Sequence, residues 1–129
     1  MSFRWISKRV VFAIHNEQLA QYGGLEGLRD KGLLDSALAR SKNLQLYQNA
    51  SLPQCAAAYA FGITRNHPFN DGNKRTGFVA ALTFLLLNDH YIDATEREVV
   101  LIVTKLAEGN LSEEELTNWF EATIIPSKL

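Results

Sequence analysis

Residues 67–77 read His67-Pro68-Phe69-Asn70-Asp71-Gly72-Asn73-Lys74-Arg75-Thr76-Gly77. A base, a carboxylate, amides, two cations and two glycines share one short run, whereas a turn between helices needs one or two such residues. The imidazole of His67 can accept a hydroxyl proton. Asp71 is a hard oxygen donor suited to Mg²⁺. Gly72 permits unusual backbone angles and close approach of a ligand. Asn73 reads as the N-cap of a following helix. Amides at Gly72, Asn73 and Lys74 would then point out of a helix N-terminus, an anion site, where Lys74 and Arg75 add full charge. Base, metal ligand, anion nest and cations together describe phosphoryl or nucleotidyl transfer. Taken singly, His-Pro reads as a loop boundary, Asn-Asp-Gly as a turn and Lys-Arg as solvated charge. Basic residues in a first helical turn oppose the macrodipole, however, and such local conflict is expected at functional sites.

These side chains need helices on both sides to position them, and the apolar spacing supplies six. The first is capped by Ser7 and runs through 22, with Val11, Ile14 and Tyr22 in register; Gly23-Gly24 ends it. Residues 25–32 read as an ordered loop. A short second helix covers 33–40, with Leu34, Ala37 and Leu38 inward. Residues 41–51 form a polar connection carrying Leu44, Leu46 and Tyr47. The third helix starts near Ser51, tolerates Pro53 in its first turn and runs to 66, since Pro68 disfavours helix at His67. The fourth covers 73–88, with Phe78, Ala81, Leu82, Leu85 and Leu86 as its stripe. The fifth covers 96–108 and stops at Gly109. The sixth opens on a capping box of Ser112 and Glu115, carries Leu116, Trp119, Phe120 and Ile124, and ends before Pro126. Two β-prone pieces, 3–6 and 91–92, are candidates for one short edge pair. The class is all-α, a compact bundle of about six helices forming a single domain over 1–129.

A chain of 129 residues buries about two-thirds of its unfolded surface and needs no disulfide or metal to fold. A formal net charge of −1 argues against direct nucleic-acid binding, which favours a basic domain. The single cysteine, Cys55, sits in an apolar run and reads as a buried hydrophobe. The first residues show no signal-peptide stretch, and the apolar run 78–87 is about half a membrane span. A cytoplasmic protein without membrane contact is expected. His15 and His90 read as surface or helix-end residues, and Trp5 and Trp119 as core.

Residues 67–75 also resemble the signature of the Fic/Doc family, His-x-Phe-x-Asp/Glu-Gly/Ala-Asn-Gly/Lys-Arg. His67, Phe69, Asp71, Gly72, Asn73, Lys74 and Arg75 match every core position. Segments 5–7, 22–30, 32–40 and 57–66 look like the death-on-curing (Doc) branch of toxins. The resemblance implies a six-helix Fic fold. It implies that Phe69 anchors the loop, His67 is the general base and Asp71 holds Mg²⁺. Gly72, Asn73 and the loop amides would hold phosphate oxygens of ATP, assisted by Lys74 and Arg75. Arg65 would reach a terminal phosphate.

The Fic branch that transfers AMP has glycine where this chain has Lys74, and a second arginine where it has Phe78. A lysine fills space that glycine leaves for a nucleotide phosphate, and losing the arginine removes a clamp on the outer phosphates. In the Doc branch the nucleotide is understood to lie reversed, with the γ-phosphate toward the target hydroxyl. The resemblance therefore implies a protein Ser/Thr kinase before an AMP transferase. It also implies a translation elongation factor as substrate, growth arrest as outcome, and a small antitoxin whose disordered segment folds onto the toxin. Thr104-Lys105-Leu106-Ala107-Glu108-Gly109 matches a self-inhibition pattern of some Fic proteins, but a helix ending at Glu108 with Gly109 as C-cap explains it more simply. Tyr47 and Leu46 read as target-docking residues or as core edge. A catalytically inert helical binding module is the alternative class, against which the intact His67 and Asp71 argue.

Overall fold

The structure, a computed structural model, describes residues 3–127. In these the chain forms α1 (Lys8–Tyr22), α2 (Lys31–Gln48), α3 (Leu52–Asn66), α4 (Asn73–Leu87), β1 (His90–Ile92), α5 (Glu96–Ala107), α6 (Glu113–Thr123) and β2 (Ile124–Pro126). Short polar side chains start five of the six helices. Ser7 accepts from the Val10 amide and Asp30 from the Leu33 amide. Ser51 with Gln54, Thr95 with Glu98 and Ser112 with Glu115 form reciprocal capping boxes. The exception is α4: Gly72 holds its cap position and no side chain bonds its first amides. No helix among the described residues is long and apolar enough to cross a membrane.

The centre of the bundle is α3, whose residues Cys55, Ala56, Ala57, Ala58, Tyr59 and Ala60 are all buried. It packs against α2, α4 and α6. Its small side chains let α4 lie close, and a Cβ at Gly77 would come within 2.9 Å of the Ala60 carbonyl oxygen. Trp5 stacks on Phe84 at 5.5 Å, and Phe78 stacks on Phe120 at 5.9 Å. These two aromatic groups close the core at either end of α4. Trp5 and Trp119 are both half-buried against it.

Four expectations change. The second helix does not stop at Arg40; α2 continues to Gln48, and Asn49 ends it in the left-handed region at φ 51. The polar sequence hid this extension because one face is solvated. The other face holds buried Ser41, which donates to the Cys55 carbonyl at 2.8 Å, and half-buried Leu44. The strand pair exists, but β1 pairs antiparallel with β2, not with residues 3–6. Residues 3–6 are instead held by Asn88, whose side chain accepts from the Arg4 amide and donates to the Arg4 carbonyl. Helix α6 therefore ends at Thr123 and Ile124 is a strand residue; its β-branched side chain and that of Ile125 suit the pleat. Tyr22 is 58% exposed, not inward.

Candidate active site

Helix α3 ends because His67 takes the left-handed conformation (φ 52) while its amide still bonds the Ile63 carbonyl at 3.1 Å. Pro68 cannot extend the helix. Gly72 turns left-handed again (φ 76) and α4 begins at Asn73. A non-glycine residue held at positive φ costs about 1–3 kcal/mol and persists only where its surroundings impose it. Here they impose it from three sides.

From the α4 side comes Asn73. Its Oδ1 accepts from the Phe69 amide at 2.9 Å and its Nδ2 donates to the Phe69 carbonyl at 3.0 Å. This corrects the expected N-cap role. Asn73 is the first helical residue, is buried, and spends its side chain on the loop. The first amides of α4 consequently have no side-chain partner and remain donors at the positive end of the helix. Phe69 is 1% exposed and lies in the core.

From outside comes the segment 23–30. The Leu25 amide donates to Asp71 Oδ2 at 3.1 Å. The Asn70 amide donates to the Gly27 carbonyl, and Asn70 Nδ2 to that of Glu26, both at 3.0 Å. The Arg29 and Asp30 amides share the Pro68 carbonyl, while the Arg29 guanidinium reaches the carbonyls of His67 (2.7 Å) and Asn66 (3.0 Å). Gly24 is required at φ 126, since a Cβ there would lie 3.1 Å from Asp71 Oδ2. The expected ordered loop is thus a cradle for residues 66–71.

The third side is α1, through His15. It is buried, not at the surface, with Nε2 2.8 Å from the Asp71 carbonyl oxygen. Its ring stacks on Phe69 with centroids 3.8 Å apart. Sequence reasoning missed it although the signal was present: Val11, Ile14, His15 and Gln18, the buried residues of α1, fall at i, i+3, i+4 and i+7. His90 does sit beyond a helix end, with Nδ1 2.6 Å from the Asn88 carbonyl oxygen.

The loop and the start of α4 enclose a cavity of about 210 Å³ lined by His67, Asp71, Gly72, Asn73, Lys74 and Arg75, with Thr64 and Ala107 completing the wall. Arg65 is not part of this lining; its guanidinium lies over the Phe61 ring at 5.2 Å. Lys74 and Arg75 also border a more apolar cavity of about 350 Å³ with Tyr22, Phe78 and Val103. The Arg75 guanidinium rests on Tyr22 at 4.7 Å, and its Nε is buried without a hydrogen-bond partner among the described residues. A larger cavity, about 620 Å³ between α2 and α6, is lined by Arg40, Glu113, Glu114 and Glu121 among others. Its size does not make it the site, because none of residues 67–75 reaches it. Leu46 and Tyr47 are exposed on α2. Glu108 is the exposed C-cap of α5 and Gly109 follows at φ 76.

The residues present suit a nucleotide with Mg²⁺. Asp71 is exposed and, among the described residues, its carboxylate accepts only from the Leu25 and Gly72 amides, so lone pairs remain. Among the described residues no three His, Cys, Asp or Glu side chains form a metal cage. One carboxylate completed by substrate phosphates and water is the usual Mg²⁺ arrangement. An uncapped helix start beside two cations suits the phosphates themselves.

The sequence profile of the Fic/DOC family matches residues 5–85. The chain is 36% identical over 86 residues to "Protein kinase doc" of Escherichia phage P1, a match covering 66% of this chain and 68% of that protein. It is 44% identical over 70 residues to "Toxin Doc" of Mycolicibacterium smegmatis, covering 52% of this chain and 53% of that protein.

Proposed function

The chain belongs to the Fic/DOC family, and from that premise we propose that it is the toxin of a toxin–antitoxin pair which transfers the γ-phosphate of ATP to a Ser or Thr hydroxyl of a target protein. The observation that carries this reading is the uncapped start of α4, which faces one cavity together with His67, Asp71 and Lys74. A relative named as a protein kinase and another named as a toxin support it.

In this reading His67 takes the proton of the target hydroxyl. The freed oxygen attacks the γ-phosphorus, the bond to the β–γ bridging oxygen breaks, and ADP leaves. The first amides of α4 and Lys74 hold the oxygens of the transferring group, and Arg75 holds the neighbouring phosphate. Asp71 holds Mg²⁺, which offsets phosphate charge when bound. Asn73 contributes its backbone amide, while its side chain keeps the loop in shape. Arg65 reaches a terminal phosphate only by leaving Phe61. Lys74 fills the space that a glycine leaves in AMP transferases, and Phe78, 3% exposed, packs into the core where a phosphate-clamping arginine would stand. Both features favour the γ-phosphate over the AMP group.

The substrate we propose is a translation elongation factor, modified in the cytoplasm with growth arrest as the outcome. A small antitoxin with a disordered segment silences the transfer. These proposals draw their support from the likeness to the Doc branch. Incubation with a bacterial lysate and ATP labelled at the γ or at the α position tests the reaction. Protein label from the γ position alone, lost in His67→Ala, is expected. Label from the α position would establish AMP transfer instead. Absence of Mg²⁺-dependent ATP binding at millimolar concentration would favour an inert binding module.

A further inference from the structure

One buried polar ring behind the loop takes no part in the transfer just described. His15 is 3% exposed and reaches the loop from α1. A carbonyl oxygen only accepts hydrogen bonds, so the Nε2 facing the Asp71 carbonyl at 2.8 Å carries a proton. The same ring lies nearly parallel to Phe69, at 10°. It also backs Gly72, where a Cβ would sit 3.7 Å from His15 Cδ2 and Nε2. One side chain thus touches the anchor and the carboxylate residue and stands behind the left-handed glycine of the loop.

The peptide bond is planar and trans, so the C=O of Asp71 and the N–H of Gly72 point in opposite directions. Pinning the Asp71 carbonyl inward against His15 turns the Gly72 amide outward. Accordingly, the Gly72 amide points toward the Asp71 carboxylate, 3.3 Å from Oδ1. We propose that His15 is a positioning residue of the site. By holding the Asp71 carbonyl, it aims the Gly72 amide and the Asp71 carboxylate to the same side, where phosphate and its cation bind. This rests on the reading of the loop as a nucleotide site. It adds a residue that neither proton transfer nor phosphate contact requires.

Two substitutions separate the hydrogen bond from the packing. His15→Phe keeps a ring against Phe69 but removes the donor; His15→Gln keeps a donor of similar reach and gives up the stack. Loss of one part-buried hydrogen bond corresponds to about a tenfold effect. In the nucleotide-free protein, His15→Phe is expected to speed exchange of the Phe69, Asn70 and Gly72 amides about tenfold and leave the amides of α6 unchanged. Its dissociation constant for Mg²⁺–ATP, read by calorimetry, is expected to rise about tenfold, with His15→Gln restoring it to within about threefold. Nitrogen chemical shifts of the unmodified protein should show a protonated His15 Nε2. Parent-like exchange and affinity in His15→Phe would overturn the proposal. So would equal acceleration throughout α6, failure of His15→Gln to restore affinity, or an unprotonated Nε2. Should the parent itself bind no Mg²⁺–ATP, the proposed function fails, while the exchange comparison still decides the role of His15.

Discussion

Asn73→Ala isolates what shapes the loop. Asn73 is 4% exposed and satisfies both backbone groups of Phe69, which is itself 1% exposed. Truncation leaves a buried N–H and a buried C=O without partners. Each costs about 1–3 kcal/mol, and water entering from the adjacent cavity favours the low end, so about 3 kcal/mol is expected for the pair. For a domain of this length that is a fall of roughly 12 °C in melting temperature. Asn73→Asp is expected to be about as harmful: it keeps the acceptor for the Phe69 amide but sets a carboxylate oxygen against the Phe69 carbonyl. Urea unfolding gives the stability, and hydrogen exchange at the Phe69 amide gives the local opening. If Asn73 instead acted through phosphate contact, Asn73→Ala would lose ATP affinity at parental stability. A loss below about 0.5 kcal/mol with unchanged Phe69 exchange would refute the argument.

Gly24→Ala is expected to loosen the cradle by about 1 kcal/mol and to weaken Mg²⁺–ATP binding in calorimetry, because the new methyl meets Asp71 Oδ2 and Leu19. Gly77→Ala is expected to destabilise by about 1–3 kcal/mol in urea unfolding, since the methyl would meet the backbone oxygen of Ala60 at 2.9 Å and only a shift of α4 against α3 relieves it. Burial pushes the Cys55 thiol up to about 11 and the Tyr59 hydroxyl up to about 12, from 9.0 and 10.0. Both groups are neutral in either state below about pH 8; above it the unfolded chain loses these protons first, so stability falls as pH rises, by up to about 3 kcal/mol per group once the folded-state values are passed. Unfolding curves at about pH 8 and about pH 10.5 should show part of that loss, and equal midpoints would contradict it. Cys55 should also resist alkylation in the folded protein at neutral pH, a result that mass spectrometry reads directly.

What the sequence revealed was what is decided locally. Ser7, Ser51 and Ser112 start helices by bonding an amide three residues on, and a reader can see that bond coming. The polar loop between two apolar helices was legible for the same reason. The strand partner of Tyr91 was not, because Ile125 lies at the far end of the chain and only packing brings the two together. The length of α2 was hidden because its last turns are half solvated and show no apolar period. Asn73 was misread because an Asn at a helix start favours capping, and the competing pair of bonds to Phe69 exists only once the loop has closed. His15 lay on the apolar stripe of α1, yet its partner, the Asp71 carbonyl, is a backbone atom that no residue pattern announces.

The mass of a modified target protein tests the central claim most directly. The target, isolated after reaction with Mg²⁺–ATP, should gain one phosphate on a Ser or Thr, with ADP released in equal amount and no gain with His67→Ala. A gain of AMP with pyrophosphate released would contradict the assignment of the γ-phosphate to this loop.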